Sequence, residues 1–190
     1  MPLLGTSASQ FSGKSFSSFD SIQTVTVTSN SYSVDFLSIP QTYKHLQIRG
    51  IARTAQTGQA GGVQLGLFFN NSGESNHAYH AIGGDSYNAS PRSGASNNYI
   101  PIQSGAVRDS VSSGIYAANI IDLLDYSSTT KNKTVRTFSG NEFNGSPLDI
   151  QVTLGSGVVL STTAITSVSI SNVSYDLVPG TTFTLYGIKG

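Results

Sequence analysis

The chain has 190 residues, ten Lys/Arg against ten Asp/Glu and a formal net charge of zero; only 11% of it is charged, against about a quarter in an ordinary soluble protein. That balance excludes the basic footprint of a nucleic-acid binder, and the lack of cysteine excludes a disulfide framework, a thiolate nucleophile and a thiolate zinc site. Ser and Thr fill 49 positions and Gly 20, so hydroxyls rather than charges must solvate the single domain that this length supports.

Residues 1–20 are small and polar, with Phe11, Phe16 and Phe19 spaced among serines. Such a composition builds no core by itself. The segment reads as an arm that either stays disordered or docks through its phenylalanines, ahead of one domain over residues 21–190. The opening Met1-Pro2-Leu3-Leu4-Gly5-Thr6 lacks the basic stretch and apolar core of a signal peptide. No apolar run approaches the roughly 18 residues needed to span a bilayer. Synthesis in a cytoplasm, with no membrane partner, is the expectation.

From residue 21 onward the period is two. Ile22 to Thr28 and Tyr32 to Phe36 alternate apolar with polar side chains, the pattern of half-buried strands. After Pro40, Tyr43 to Thr54 reads as a long strand with Leu46 and Ile48 on one face and His45, Gln47 and Arg49 on the other. A glycine-rich turn at Gly58 to Gly62 leads into a strand over Val63 to Phe69, and a short strand follows around His77 to Ile82. Residues 83–98 show no periodicity and read as a long loop, a candidate contact surface. A short segment near Tyr99 to Ile102 precedes Gly114 to Tyr126, whose spacing fits a helix or a strand; its strand-patterned surroundings favour the strand. Lys133 to Ser139 is a further strand. Asp149 to Leu154 and Gly157 to Ser161 flank Gly155-Ser156, read as a tight hairpin. Ile165 to Asn172 and Thr182 to Lys189 close the series. Roughly ten strands without a long helix imply an all-β fold: an antiparallel β-sandwich, jelly-roll-like, with an extended N-terminal arm, or else an up-and-down barrel.

Chemistry is sparse. Glu74, His77 and His80 form an E-x-x-H-x-x-H string that invites a metal reading, but on a strand His77 and His80 point to opposite faces. Asp122 and Asp125 could form a carboxylate pair only if a cleft set their distance; Asp125 equally well begins the turn at Ser127-Ser128. No Gly-x-Ser-x-Gly is present and no Gly-Lys-Ser/Thr follows Gly58 to Gly62. No enzyme activity, metal or cofactor is therefore expected. Tyr79, Tyr87 and Tyr99 lie in or beside the unpatterned 83–98 segment, where a tyrosine could contact protein or sugar or simply cap the core edge.

Three stretches are distinctive: Tyr43-Lys44-His45-Leu46-Gln47-Ile48-Arg49-Gly50; Ile121-Asp122-Leu123-Leu124-Asp125-Tyr126 followed by Lys131-Asn132-Lys133-Thr134-Val135-Arg136; and Pro179-Gly180-Thr181 before Phe183-Thr184-Leu185-Tyr186-Gly187-Ile188-Lys189. Together they resemble a family of small virion structural proteins of tailed bacteriophages of marine bacteria and cyanobacteria, over about residues 20–189. The resemblance implies a virion location without catalytic residues, as head decoration or as a tail fibre component. The leading expectation is a capsid decoration or cement protein on the virion exterior. It would be a homotrimer bridging subunits of the major capsid protein, with Phe11, Phe16 and Phe19 docking and Tyr79, Tyr87 and Tyr99 at contacts. The alternative is a tail fibre or receptor-binding module for host surface glycan, in which those tyrosines and the histidines converge on a groove.

Overall fold

Alternating side chains resolve into twelve antiparallel strands in a computed structural model, which describes residues 18–58, 61–73, 76–85, 87–143 and 150–190. In chain order they are β1 (Phe19–Thr26), β2 (Ser33–Phe36), β3 (His45–Ala52), β4 (Gly62–Phe69), β5 (His77–Gly84) and β6 (Ala89–Asn97). Then come β7 (Ile100–Val107), β8 (Ala117–Leu124), β9 (Lys133–Asn141), β10 (Gln151–Val159), β11 (Val168–Ser171) and β12 (Thr182–Ile188). The first falls partly within the segment expected to be an arm: Phe19 and Asp20 pair with Ile188 and Gly187. Phe11 and Phe16 lie outside the described residues.

Two sheets pack face to face. One has eight strands in the order β1-β12-β3-β8-β9-β10-β5-β6, the other four in the order β2-β11-β4-β7. Without β5, β6, β9 and β10, the remaining order is β1-β12-β3-β8 opposite β2-β11-β4-β7. Apart from the paired β4 and β7, successive strands of this frame alternate between the two sheets, which is the jelly roll. The four extra strands come from two separate insertions, β5-β6 and β9-β10, and join side by side to widen one sheet. β7 lies beneath this extension, and all eight of its residues are buried.

Inner-face residues of both sheets form the core, among them Phe36, Leu46, Ile48, Leu65, Leu67, Ile102, Ile121, Leu123, Phe183 and Leu185. β8 and β12 alternate buried positions with exposed or half-buried ones along their length. Gly114 to Tyr126 is therefore strand where it is regular, since every second side chain from Ala117 enters the core.

Three sequence expectations change. The 83–98 segment is not a loop but the end of β5, a tight turn and β6. The Asp85 carboxylate accepts the N–H groups of Tyr87 at 2.9 Å and Asn88 at 2.7 Å, and these bonds hold its carboxyl below the usual carboxylate range. β6 is the last strand of its sheet, so neither of its faces needs a continuous apolar row, and Pro91 is tolerated there. Gly155-Ser156 is not a hairpin but the middle of a continuous β10 paired with β9 and β5. Its glycines serve close approach: a Cβ on Gly157 would lie 2.7 Å from Ile100 Cδ1 of β7 below. The short segment at Tyr99 to Ile102 is the start of an eight-residue strand, hidden by the polar run Gln103-Ser104-Gly105.

That run bulges, with Ser104 at φ 53°, and its carbonyls turn toward β8 and β9 of the opposite sheet. Ser139 Oγ donates to the Gln103 carbonyl, Asn141 Nδ2 to that of Ser104 at 3.1 Å, and Asn119 Nδ2 to that of Gly105 at 2.8 Å. These side chains replace the ladder partners that the bulge removes.

Two cations are buried as loop anchors. Lys133 Nζ donates to the carbonyls of Ser128 (2.7 Å), Lys131 (3.0 Å) and Ser161 (3.1 Å), using all three ammonium protons; burial pulls its pKa below the ordinary lysine value. The Arg53 guanidinium does the same for residues 109–115.

The distinctive stretches fall on four adjacent strands, β12-β3-β8-β9, and knit them together. Gly187 lets Tyr43 lie against β12, because a Cβ there would overlap its ring. Tyr126, fully buried, donates from Oη to the Pro40 carbonyl. Gly187→Ala should therefore lower stability by about 2 kcal/mol, the usual cost of overpacking, read as an earlier midpoint in urea. An unshifted midpoint would mean the Tyr43 ring has room to move.

Candidate interaction surface

Strand register builds one uninterrupted row on the outer face of the eight-stranded sheet. Arg49 of β3 pairs with Ile120 of β8, Ile120 with Phe138 of β9, Phe138 with Leu154 of β10, Leu154 with Ile82 of β5, and Ile82 with Pro91 of β6. Their inner-face neighbours fill the core, which leaves these side chains to solvent: Ile120 is 42% exposed, Phe138 49%, Leu154 50% and Ile82 64%. The next row, Ile51-Ala118-Gly140-Val152, adds exposed Ile51 and Val152. Scattered exposed apolar residues are ordinary, whereas a contiguous patch marks an interaction site. Four strand spacings separate Ile120 from Pro91, an apolar strip roughly 19 Å long.

A polar chain borders the strip. Arg136 Nη2 lies 3.4 Å from Asp122 Oδ2, and Gln47 Nε2 donates to Asp122 Oδ1 at 2.7 Å. Arg49 Nε donates to Gln47 Oε1, and its guanidinium lies over the rings of Phe19 (5.2 Å) and Tyr186 (5.3 Å). In the Asp122–Arg136 pair the Arg136 side chain is exposed to solvent, so the pair adds little stability; stacked Arg49 is better held. The face is indented on both sides of Phe138. A groove of about 480 Å³ is bordered by Ile82, Pro91, Arg136 and Leu154, and one of about 1050 Å³ by Ile51, Ile120, Phe138 and Tyr186. Shallow pockets with apolar walls and a polar border are what protein contacts use.

The residues expected from sequence to make contacts are dispersed. Phe19 is on this face, under Arg49. Tyr79 points inward from β5, its ring over Gly94. Tyr87 is exposed in the β5–β6 turn, beyond the far end of β5 from Tyr79. Tyr99 accepts a hydrogen bond from Gln64 Nε2 at 3.0 Å, and its ring centre is 5.4 Å from that of Phe68. These tyrosines and the histidines do not converge on one groove. His45 Nδ1 accepts the Asp125 N–H at 3.1 Å, His77 is buried and stacked on Phe69, and His80 faces out near the smaller groove. Glu74 lies outside the described residues, and among those described no three His, Asp or Glu side chains are grouped to hold a metal. Asp125 begins a turn, its carbonyl accepting the Ser128 N–H at 3.0 Å, while Asp122 belongs to the polar chain.

The apolar row left one trace in the sequence: β8, β9 and β10 carry large apolar residues of both parities, Ile120 with Ile121, Val135 with Phe138, and Leu154 with Val159. Such strands are either buried on both faces or partnered. No protein-family model and no curated protein matches the chain.

Proposed function

We propose that the chain is a non-enzymatic virion structural protein of a tailed bacteriophage, a decoration or cement protein on the capsid exterior that bridges subunits of the major capsid protein. The single observation that carries the docking part is the apolar row Ile120-Phe138-Leu154-Ile82-Pro91 on the widened sheet. A rigid sheet presents those side chains with little entropy left to lose on binding, and their burial supplies the affinity. The virion assignment rests on the resemblance carried by β12, β3, β8 and β9, and a neutral, hydroxyl-rich surface suits a particle exterior. Assembly as a homotrimer would multiply weak individual contacts, so each copy closes part of the shell.

The test is the copy number of this chain in purified particles, by quantitative mass spectrometry against the major capsid protein. Copies within a few-fold of the capsid subunit are expected. A far smaller ratio would replace the cement reading by a tail fibre one, and absence from the particle would overturn both.

A further inference from the structure

The outer face of the four-stranded sheet, on the other side of the molecule, holds a trough of different character. Across β2, β11 and β4 the register sets two rows, Asp35-Ser169-Phe68 and Ser33-Ser171-Gly66. β11 contributes only serines to this face, so its surface lies low. The β2 side rises to Tyr32 and Leu37, both exposed, and the β4 side to Phe68. Between β2 and β4 there are two strand spacings, roughly 9.6 Å, and the trough encloses about 520 Å³.

Its walls are set in place. Ser31 exchanges both backbone hydrogen bonds with Leu177, at 3.0 and 2.7 Å, and its hydroxyl donates to the Ser33 carbonyl at 2.9 Å. The backbone beside Tyr32 is thus pinned while its side chain stays 60% exposed. Opposite, Phe68 lies along its own strand over Gly66, where a Cβ would come within 2.7 Å of its Cε2. A glycine there makes room for an aromatic wall.

The polar groups point to the ligand. Ser33 Oγ donates to Asp35 Oδ2 at 2.7 Å, which orients the carboxylate and leaves Oδ1 to accept from a ligand. Asn71, held at φ 50°, and Asn98 border the trough, and among the described residues their side-chain amides make no hydrogen bond. Among the described residues no Lys or Arg borders it, so an anion finds no counter-charge there. Aromatic walls with a carboxylate, free amides and hydroxyls between them match a molecule with one apolar C–H face and a rim of hydroxyls. The geometry points to a binding site for a neutral pyranose sugar on the β2-β11-β4 face. This site shares no residue with the apolar row, so it stands or falls separately from capsid docking.

Saturation-transfer NMR on the full chain against methyl glycosides of glucose, galactose, mannose and N-acetylglucosamine tests this, with amide spectra to locate the shifts. At least one glycoside should bind saturably and shift residues 32–37, 68–73 and 169–171. Tyr32→Ala should weaken that binding about tenfold, the loss of one aromatic contact, and Asp35→Asn should weaken it too. Both side chains are exposed, so unchanged amide spectra elsewhere will report an intact fold. If no glycoside binds, if the shifts fall elsewhere, or if binding survives both substitutions, the proposal is overturned.

Discussion

Arg53→Met should destabilise the protein by about 4 kcal/mol, a large share of the roughly 5 to 15 kcal/mol that holds a domain folded. The guanidinium is buried and donates to the carbonyls of Asp109 (2.7 Å), Val111, Ser112 (2.9 Å) and Ile115 (3.2 Å), and it lies 3.3 Å from Asp109 Oδ1. Methionine fills the volume of the stem but supplies no donor, leaving several carbonyls inside the protein without partners at about 1 to 3 kcal/mol each. Relaxation of the loop toward water recovers part of that loss. Arg53→Lys should recover little, because one ammonium cannot span four carbonyls that a planar fork reaches together. Urea denaturation gives the loss, and hydrogen exchange at residues 109–115 should rise in step with it. A change below about 1 kcal/mol would show that the loop finds other partners and that Arg53 is not its anchor.

Phe138→Asp combined with Leu154→Asp should abolish particle binding while leaving the fold intact. Both side chains sit mid-row, paired with each other across β9 and β10 and half exposed. Half exposed already, they cost the folded monomer on the order of 1 to 2 kcal/mol when replaced, part of it from two like charges placed directly opposite, but an interface loses its apolar centre and must bury two carboxylates. Central contacts of this kind are worth about 2 kcal/mol or more apiece, so affinity should fall at least several hundredfold. Co-sedimentation with particles lacking the native protein is the direct readout, and the thermal midpoint should move by only a few degrees. Thr134→Asp, on the same face of β9 but off the row, is the matched control. Retained binding by the double variant would move the docking site away from this sheet.

Much of the fold was legible because a half-buried strand writes its own period. Tyr43 to Thr54, Val63 to Phe69 and Thr182 to Lys189 alternate in sequence and form β3, β4 and β12 within one or two residues. β6 was invisible for the complementary reason: an edge strand with no face to bury carries no apolar period. β10 was misread because glycine serves two purposes, a turn or the close approach of another strand, and only the presence of Ile100 beneath Gly157 decides between them. Nothing in the sequence marks Arg53 and Lys133 as buried. Their carbonyl partners lie up to 62 residues away in the chain, a distance at which spacing says nothing.

The sequence by itself determined the class of the molecule: all-β, charge-poor and free of thiol chemistry, all of which follow from composition and from a period read over a few neighbouring residues; the choice of a sandwich over a closed barrel came with the two-sheet packing. Only the tertiary structure decided which residues meet. Ile82, Ile120, Phe138 and Leu154 are far apart along the chain and become one row through the pairing of β8, β9, β10 and β5, and Tyr32 and Phe68 come to border one trough. Strand order and register are set by the packing of every side chain at once, so surfaces assembled from several strands exist only after the fold has closed.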